Sequence, residues 1–182
     1  MTAIAVEVAR LLFEDTGEIV YTVLDGASVP DLLDRFVSDT PPYVCLYRGD
    51  LEPDMAEVAA YLVQLGPGSP FTEWVLTEGW GKHWGIFVKT GVDLETLRKH
   101  FRRFLIVHDP DGEPMYFRYY DPRVLRSVLP TCNTEELTTM FGPISRFFAE
   151  SEDPRRCLEF TFDGTGLVRN EVNLAAEGMK EI

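Results

Sequence analysis

One short segment, Phe117–Pro130 (FRYYDPRVLRSVLP), concentrates residue types that could bind a partner or take part in chemistry. Arg118 stands among aromatic residues, an arrangement that suits cation–π contacts or the recognition of another protein. Asp121 followed by Pro122 is typical of a helix start, because the carboxylate can cap the helix and the N–H that Pro lacks needs no partner there. Arg123 is then left to pair with acids of the chain or with a partner. These residues favour a structural role for the segment, as a joint between the hairpin and the helix. A role as a binding surface is the alternative.

The elements around this segment decide where its side chains point. Residues 115–120 predict a strand, with Phe117 and Tyr119 on one side and Tyr116, Arg118 and Tyr120 on the other. Ile106–His108 would pair with it as a hairpin, since the intervening Asp-Pro-Asp-Gly-Glu-Pro is a long turn signal. The hairpin would then lead directly into the helix that Asp121 caps.

The remaining residues with chemical potential give no recognisable site. His83, His100 and His108 stand at no metal-ligand spacing, and we expect no metal or cofactor. Cys45, within an apolar strand, predicts a buried structural thiol, and Cys132 and Cys157 are far from it in sequence. We therefore predict no catalytic residues. An enzyme with an unfamiliar site built from Cys45, His108, Asp109 and Asp111 is the weakest alternative.

Charge is distributed unevenly along the chain, which has a formal net charge of −13. Residues 1–80 carry 14 acidic and 3 basic residues, whereas residues 81–130 carry 6 acidic and 9 basic ones. An excess of acid disfavours nucleic acid and anionic membranes as partners. No apolar run is long enough for a membrane span, and the N-terminus lacks a signal-peptide pattern. We expect a cytoplasmic protein.

Apolar runs, caps and turn signals predict a mixed α/β (α+β) fold, a mixed sheet flanked by helices with a short C-terminal helical and hairpin segment. We expect a core domain over residues 1–148 and a short extension, with a β-hairpin, over residues 149–182. Gly142-Pro143 should end the last helix of the core. The predicted strands are 18–24, 43–47, 59–65 and 84–90, and the predicted helices are 28–38 (capped by Ser28), 69–79, 93–105, 121–129 and 133–141.

Several segments in a fixed order resemble one bacterial family. They include YTVLDGAS, AYLVQL, WGIFVKT, LETLRKHFRRFL and FRYYDPRVLRSVLP followed by FGPI, and they span about Ile19 to Phe148. The chain resembles the type VI secretion adaptor proteins, or effector chaperones, first catalogued as a domain of unknown function. Many members carry a longer helical region after FGPI, whereas this chain has only about forty residues there.

The resemblance implies a cytoplasmic protein without catalytic activity. Such a protein binds a secreted effector protein and helps load it onto the VgrG-type spike of the secretion machine. An immunity protein that binds and neutralises a cognate toxin is the alternative, and it fits the acidic charge and the size of the chain. Candidate partner-binding residues are Arg98, Arg102, Arg103, Arg118, Tyr120 and Arg123, while Asp121, Pro122, Gly142 and Pro143 form the structural motif.

Overall fold

A seven-stranded antiparallel sheet organises the molecule in a computed structural model, which describes residues 1–14, 17–108 and 111–174. The strand order is β2-β3-β1-β4-β7-β8-β9. A separate two-stranded sheet pairs β5 with β6. The strands are β1 (Ile19–Asp25), β2 (Tyr43–Cys45), β3 (Ala60–Leu65), β4 (Gly85–Thr90), β5 (Ile106–His108), β6 (Pro114–Tyr116), β7 (Ile144–Glu150), β8 (Arg156–Phe162) and β9 (Leu167–Asn173).

Helices cover both faces of the large sheet, which explains why its central strands are continuous apolar runs instead of alternating ones. One core contains α5, α6 and α7 residues against the sheet, and the other contains α1, α2 and α4 residues. The predicted mixed α/β fold is confirmed, but the predicted mixed sheet is wrong, because all pairs of the large sheet are antiparallel. The helices are α1 (Ala3–Phe13), α2 (Leu32–Asp39), α3 (Pro53–Val58), α4 (Pro70–Trp74), α5 (Leu94–Phe101), α6 (Pro122–Val128) and α7 (Thr134–Phe141).

Most helix starts follow local sequence signals. Asp93 caps α5 and Asp121 caps α6, and Asn133 forms a capping box with Glu136 at the start of α7. The prediction that Ser28 caps a helix is wrong, because residues 26–28 form a short 3₁₀ turn and α2 begins at Leu32.

The structure changes three further expectations. The strand predicted over residues 115–120 ends at Tyr116, since Asp121 N–H donates to Arg118 O and closes a turn there. The sequence analysis also missed α1, α3 and β7. The predicted hairpin forms from β8 and β9, but β8 pairs with β7 and so extends the large sheet. The predicted boundary after residue 148 therefore lies inside β7.

Two predictions fall partly on residues outside the described ranges. These are the centre of the β5–β6 turn at residues 109–110 and the end of the C-terminal extension at residues 175–182. Within the described residues, no helix is long and apolar enough to cross a membrane.

Candidate functional site

Two ion pairs hold the segment that follows β6. Arg118 pairs with Asp25 at the end of β1, and Arg123 pairs with Asp121 through two short contacts, the closest at 2.7 Å. We call these four residues the charged joint. Both carboxylates are almost fully buried, whereas about half of each arginine side chain is exposed. The Arg118–Asp25 pair therefore fixes the segment to the sheet, the Arg123–Asp121 pair lies within the segment, and both leave a guanidinium group at the surface.

The carboxylates of the joint also satisfy backbone and hydroxyl groups. Asp121 accepts a hydrogen bond from Arg123 N–H at 2.9 Å, which is the cap that the sequence predicts, and Asp25 accepts one from Ser28 Oγ at 2.7 Å. Burial raises the pKa of Asp121, but the hydrogen bonds and charge of Arg123 outweigh it and lower the pKa overall. Asp121 is thus held as a carboxylate, which suits a structural cap.

The tyrosines of the segment belong to the core. Tyr119 is fully buried, stacks on Phe101 with ring centroids 5.3 Å apart, and donates its hydroxyl to Phe101 O. Tyr120 is only 3% exposed, so the structure corrects its assignment as a partner-binding candidate. The predicted alternation fails because residues 117–120 leave the extended conformation and turn both rings inward.

Three arginines lie in or directly after α5, and we call them the α5 arginines: two are bound by the chain and one is exposed. Arg98 Nε donates to Cys45 O at 3.2 Å, and Arg102 donates to the carbonyls of Cys45, Leu46 and Tyr47. Arg103 is exposed on the neighbouring turn. Arg98 and Arg102 therefore hold β2 against the helix, and Arg103 is the α5 arginine most available to a partner.

A second polar cluster lies beside the joint at the end of β7. The buried Glu150 carboxylate contacts His83 Nδ1 at 2.8 Å, and Arg126 donates to Glu150 O. Burial raises the pKa of Glu150, opposed by hydrogen bonds from Gly81 and His83. His83 has a positive φ of 60°, a conformation that costs energy for a residue with a Cβ. The contacts with Glu150 help to hold it there.

The Gly142-Pro143 pair closes α7 as expected. Gly142 has φ 48°, and a Cβ at this position would lie 2.4 Å from the His100 ring. Pro143 O accepts a hydrogen bond from Thr90 Oγ1 at 2.7 Å. This pair is therefore a packing device that brings the end of α7 against β4.

Exposed apolar side chains gather on the small β5–β6 hairpin. Ile106 and Met115 are each 50% exposed and Tyr116 is 72% exposed. Ile106 and Tyr116 are directly opposite each other, so they share one face of the hairpin. Met115 is opposite Val107 and therefore lies on the other face. We call these three exposed residues, which occupy the two faces of the hairpin, the hairpin patch. The sequence predicts the hairpin but not its exposed apolar residues. Apolar residues on both sides of a charged turn could have indicated them.

A cleft lies on each side of the hairpin. The first, of about 300 Å³, lies on the Ile106–Tyr116 side and is basic through Arg48 and Arg102. The second, of about 530 Å³, reaches from Val107 to α6 and α7 and carries Glu135 and Glu136. An exposed apolar patch with polar rims is the usual form of a protein-binding surface.

Of the groups considered for an unfamiliar enzyme, the structure describes Cys45, His108 and Asp111. Burial raises the pKa of the half-buried Cys45 thiol, which makes it less reactive. His108 is exposed on β5, and Asp109 lies outside the described residues. No group of three or more His, Cys, Asp or Glu among the described residues could hold a metal ion.

Comparison with known proteins gives one match. No curated protein and no solved structure matches the chain. Residues 20–139 match the family described as "Domain of unknown function (DUF4123)", and this range runs from β1 through most of α7. It contains the charged joint, the α5 arginines and the hairpin patch. The chain belongs to the DUF4123 family.

Proposed function

We propose that this protein is a cytoplasmic adaptor, or chaperone, without catalytic activity, which binds a type VI secretion effector and helps load it onto the VgrG-type spike. The ordered segments that resemble this class of adaptor lie largely within the DUF4123 match, which supports the proposal. The structural observation that carries it is the hairpin patch, because three exposed apolar side chains on a small two-stranded hairpin suit protein binding.

The charges around the patch suggest how a partner would be oriented. Arg48 lines the first cleft, Arg103 and Arg118 are exposed close to the hairpin in sequence, and Glu135 and Glu136 line the cleft on its other side. Rim charges of opposite sign favour one orientation of a bound protein and speed its encounter more than they tighten binding. The apolar centre would then supply most of the affinity.

Affinity co-purification from the native cells tests this function, with mass spectrometry of the recovered proteins. We expect an effector and a VgrG-type spike protein to be recovered together with the wild-type chain. Tyr116→Asp should reduce that recovery about tenfold or more, since it puts a charge into the apolar centre of the interface. Val37→Asp is the matched control, because Val37 is 81% exposed on α2 and lies outside the patch.

The alternative function is an immunity protein, and a separate surface favours it. A cleft of about 590 Å³ lies beside the start of α2, and Asp31, Asp34 and Glu57 are among its lining residues. Such an acidic cleft suits a basic partner. Recovery of a toxin alone, with its activity blocked by the purified protein, would support this alternative and contradict the adaptor. Equal recovery with Tyr116→Asp and Val37→Asp would contradict the role of the hairpin patch.

A further inference from the structure

The outer edge of β9 is the feature that this function does not use. β9 ends the large sheet, and no other described strand pairs with its outer side. Its seven residues, LVRNEVN, are mostly exposed and span about 23 Å. They include no Pro, Gly or Lys, the residues that most often prevent an edge strand from pairing. Within the part of the chain that the structure describes, this edge is therefore open to a further strand.

The alternating hydrogen bonds between β8 and β9 show which residues of β9 have backbone N–H and C=O groups that point away from the sheet. Leu174 N–H donates to Arg155 O at 2.8 Å, in the same register as the β8–β9 ladder. In an antiparallel pair, residues that bond to the neighbouring strand alternate with residues that do not. The even-numbered residues of β9 therefore bond to β8. Arg169 and Glu171 direct their backbone N–H and C=O groups away from the sheet.

These outward residues make β9 complementary to itself. In one antiparallel register of two β9 strands, Arg169 lies opposite Glu171 of the second copy, and both have outward backbone groups. The adjacent registers with the same hydrogen-bond phase would place Arg169 opposite Arg169 or Glu171 opposite Glu171, and like charges directly opposite each other are unfavourable. Charge thus selects a single register.

The same register also joins apolar side chains on the other face. Val168, which is 40% exposed, would lie opposite Val172 of the second copy in a closely spaced pair without hydrogen bonds. Asn170 would lie on the two-fold axis. We propose that β9 pairs with β9 of a second copy of this chain, which joins the two large sheets into one continuous sheet across a symmetric dimer.

Both charged side chains are accessible for this pairing. Arg169 is exposed and makes no ion pair within the described part of the chain. Glu171 is 36% exposed, accepts a hydrogen bond from Ser151 Oγ at 3.0 Å and lies 3.6 Å from Arg156 Nη1. Both of these contacts involve Oε1, so Oε2 can face Arg169 of the second copy.

Sedimentation velocity of the purified full chain tests the proposal, at concentrations from about 1 μM to about 1 mM. We expect a concentration-dependent monomer–dimer equilibrium. Arg169→Glu and Glu171→Arg should each raise the dissociation constant about tenfold or more, because each places like charges opposite each other at two symmetric positions. Thermal unfolding of each variant verifies that it is folded.

Complementation gives the sharper result. An equimolar mixture of Arg169→Glu and Glu171→Arg should form a heterodimer, since each variant strand then opposes charges of the other sign. The double variant, with both substitutions in one chain, should recover the wild-type dissociation constant. Arg169→Pro should prevent dimerisation without loss of a β8–β9 hydrogen bond, because the N–H that it removes faces outward.

Three results would overturn the proposal. The first is a wild-type chain that stays monomeric at every concentration, and the second is a dimer that none of these variants changes. The third is a monomer whose co-purified partner is lost in Arg169→Pro, because the edge would then accept a strand of that partner. The co-purification with Tyr116→Asp tests the adaptor function separately, so either proposal can fail alone.

Discussion

β2 and β9 are the two edge strands of the same sheet, and side chains close one edge but leave the other open. Leu46 N–H donates to Ala60 O at 2.9 Å, so Tyr43 and Cys45 are the residues of β2 whose backbone groups face outward. Arg98 and Arg102 both donate hydrogen bonds to Cys45 O. The Tyr43 ring stacks on the Phe36 ring, with ring centroids 3.8 Å apart. Among the described residues, no side chain bonds to the outward backbone groups of Arg169 or Glu171, although the Glu171 side chain contacts Ser151 and Arg156.

The role of an exposed arginine therefore depends on which edge strand it lies beside. Arg102 and Arg169 look alike in sequence as surface cations. Arg102 is bound to three backbone carbonyls of its own chain, whereas Arg169 points into solvent beside outward backbone groups. Guanidinium donors thus stabilise the fold at β2 and remain available for association at β9.

Removal of the arginine that closes β2 should have the largest effect on stability. Arg102→Ala leaves the carbonyls of Leu46 and Tyr47 without their charged donor, while Arg98 still donates to Cys45 O, and we expect a loss of about 2 kcal/mol in the free energy of unfolding. Urea denaturation followed by circular dichroism measures it. Arg103→Ala is the matched control, since this exposed neighbour should change stability by less than about 0.5 kcal/mol. Equal losses in the two variants would contradict the closed-edge interpretation.

A substitution at the start of α6, outside both edge strands, gives a reference value for the loss in the free energy of unfolding. Asp121→Ala removes the cap of α6, which packs on the central strand β7, and should cost about 1 kcal/mol. The same denaturation experiment measures it. Asp121→Asn retains an oxygen acceptor and should cost less than the alanine variant. A value for Asp121→Ala indistinguishable from wild type would show that the cap does not stabilise α6.

The open edge should tolerate the corresponding change. Arg169→Ala removes a solvent-exposed side chain without internal partners among the described residues, so monomer stability should change by less than about 0.5 kcal/mol. Denaturation at a concentration well below the dimer dissociation constant isolates the monomer. A loss as large as that of Arg102→Ala would show that β9 is held by its own side chains and would remove the contrast between the edges.

Much of the sheet could be predicted because its signals are local. β1, β3 and β4 are continuous apolar runs between turn residues, and Asp121 and Asn133 begin their helices as their residue types indicate. The β6 prediction was four residues too long because aromatic residues favour strands, while a turn closed by Asp121 overrides that preference. β7 was missed where Gly142-Pro143 suggested only a helix end.

The site was harder to predict because its contacts are distant in sequence. Arg102 and the carbonyl of Leu46 are 56 residues apart, and Arg118 and Asp25 are 93 apart. A pattern of basic residues on α5 cannot show which of them face another part of the chain. The exposure of the hairpin patch likewise depends on where the hairpin lies relative to Tyr47 and α7, which only the fold decides.

Acid should open the β9 side locally before it affects β2. Asp163 Oδ1, in the β8–β9 turn, accepts hydrogen bonds from Thr165 Oγ1, Thr165 N–H and Gly166 N–H at 2.6–2.9 Å. These bonds, the Thr165 side-chain bond first, lower the pKa of Asp163. A lowered folded-state pKa stabilises the turn above the unfolded value of about 3.9 and loses that stabilisation as pH falls through the folded value.

The arginines that close β2 stay charged throughout this range, so the two edges should respond differently to acid. Amide-exchange protection factors at pH 6 and at about pH 3 measure the response. We expect β9 amides near the turn to lose protection at low pH and β2 amides to keep it. Asp163→Asn retains an acceptor that does not titrate and should abolish the difference between the two pH values. Equal loss of protection at β2 and β9 would mean that acid opens the whole sheet and not its open edge.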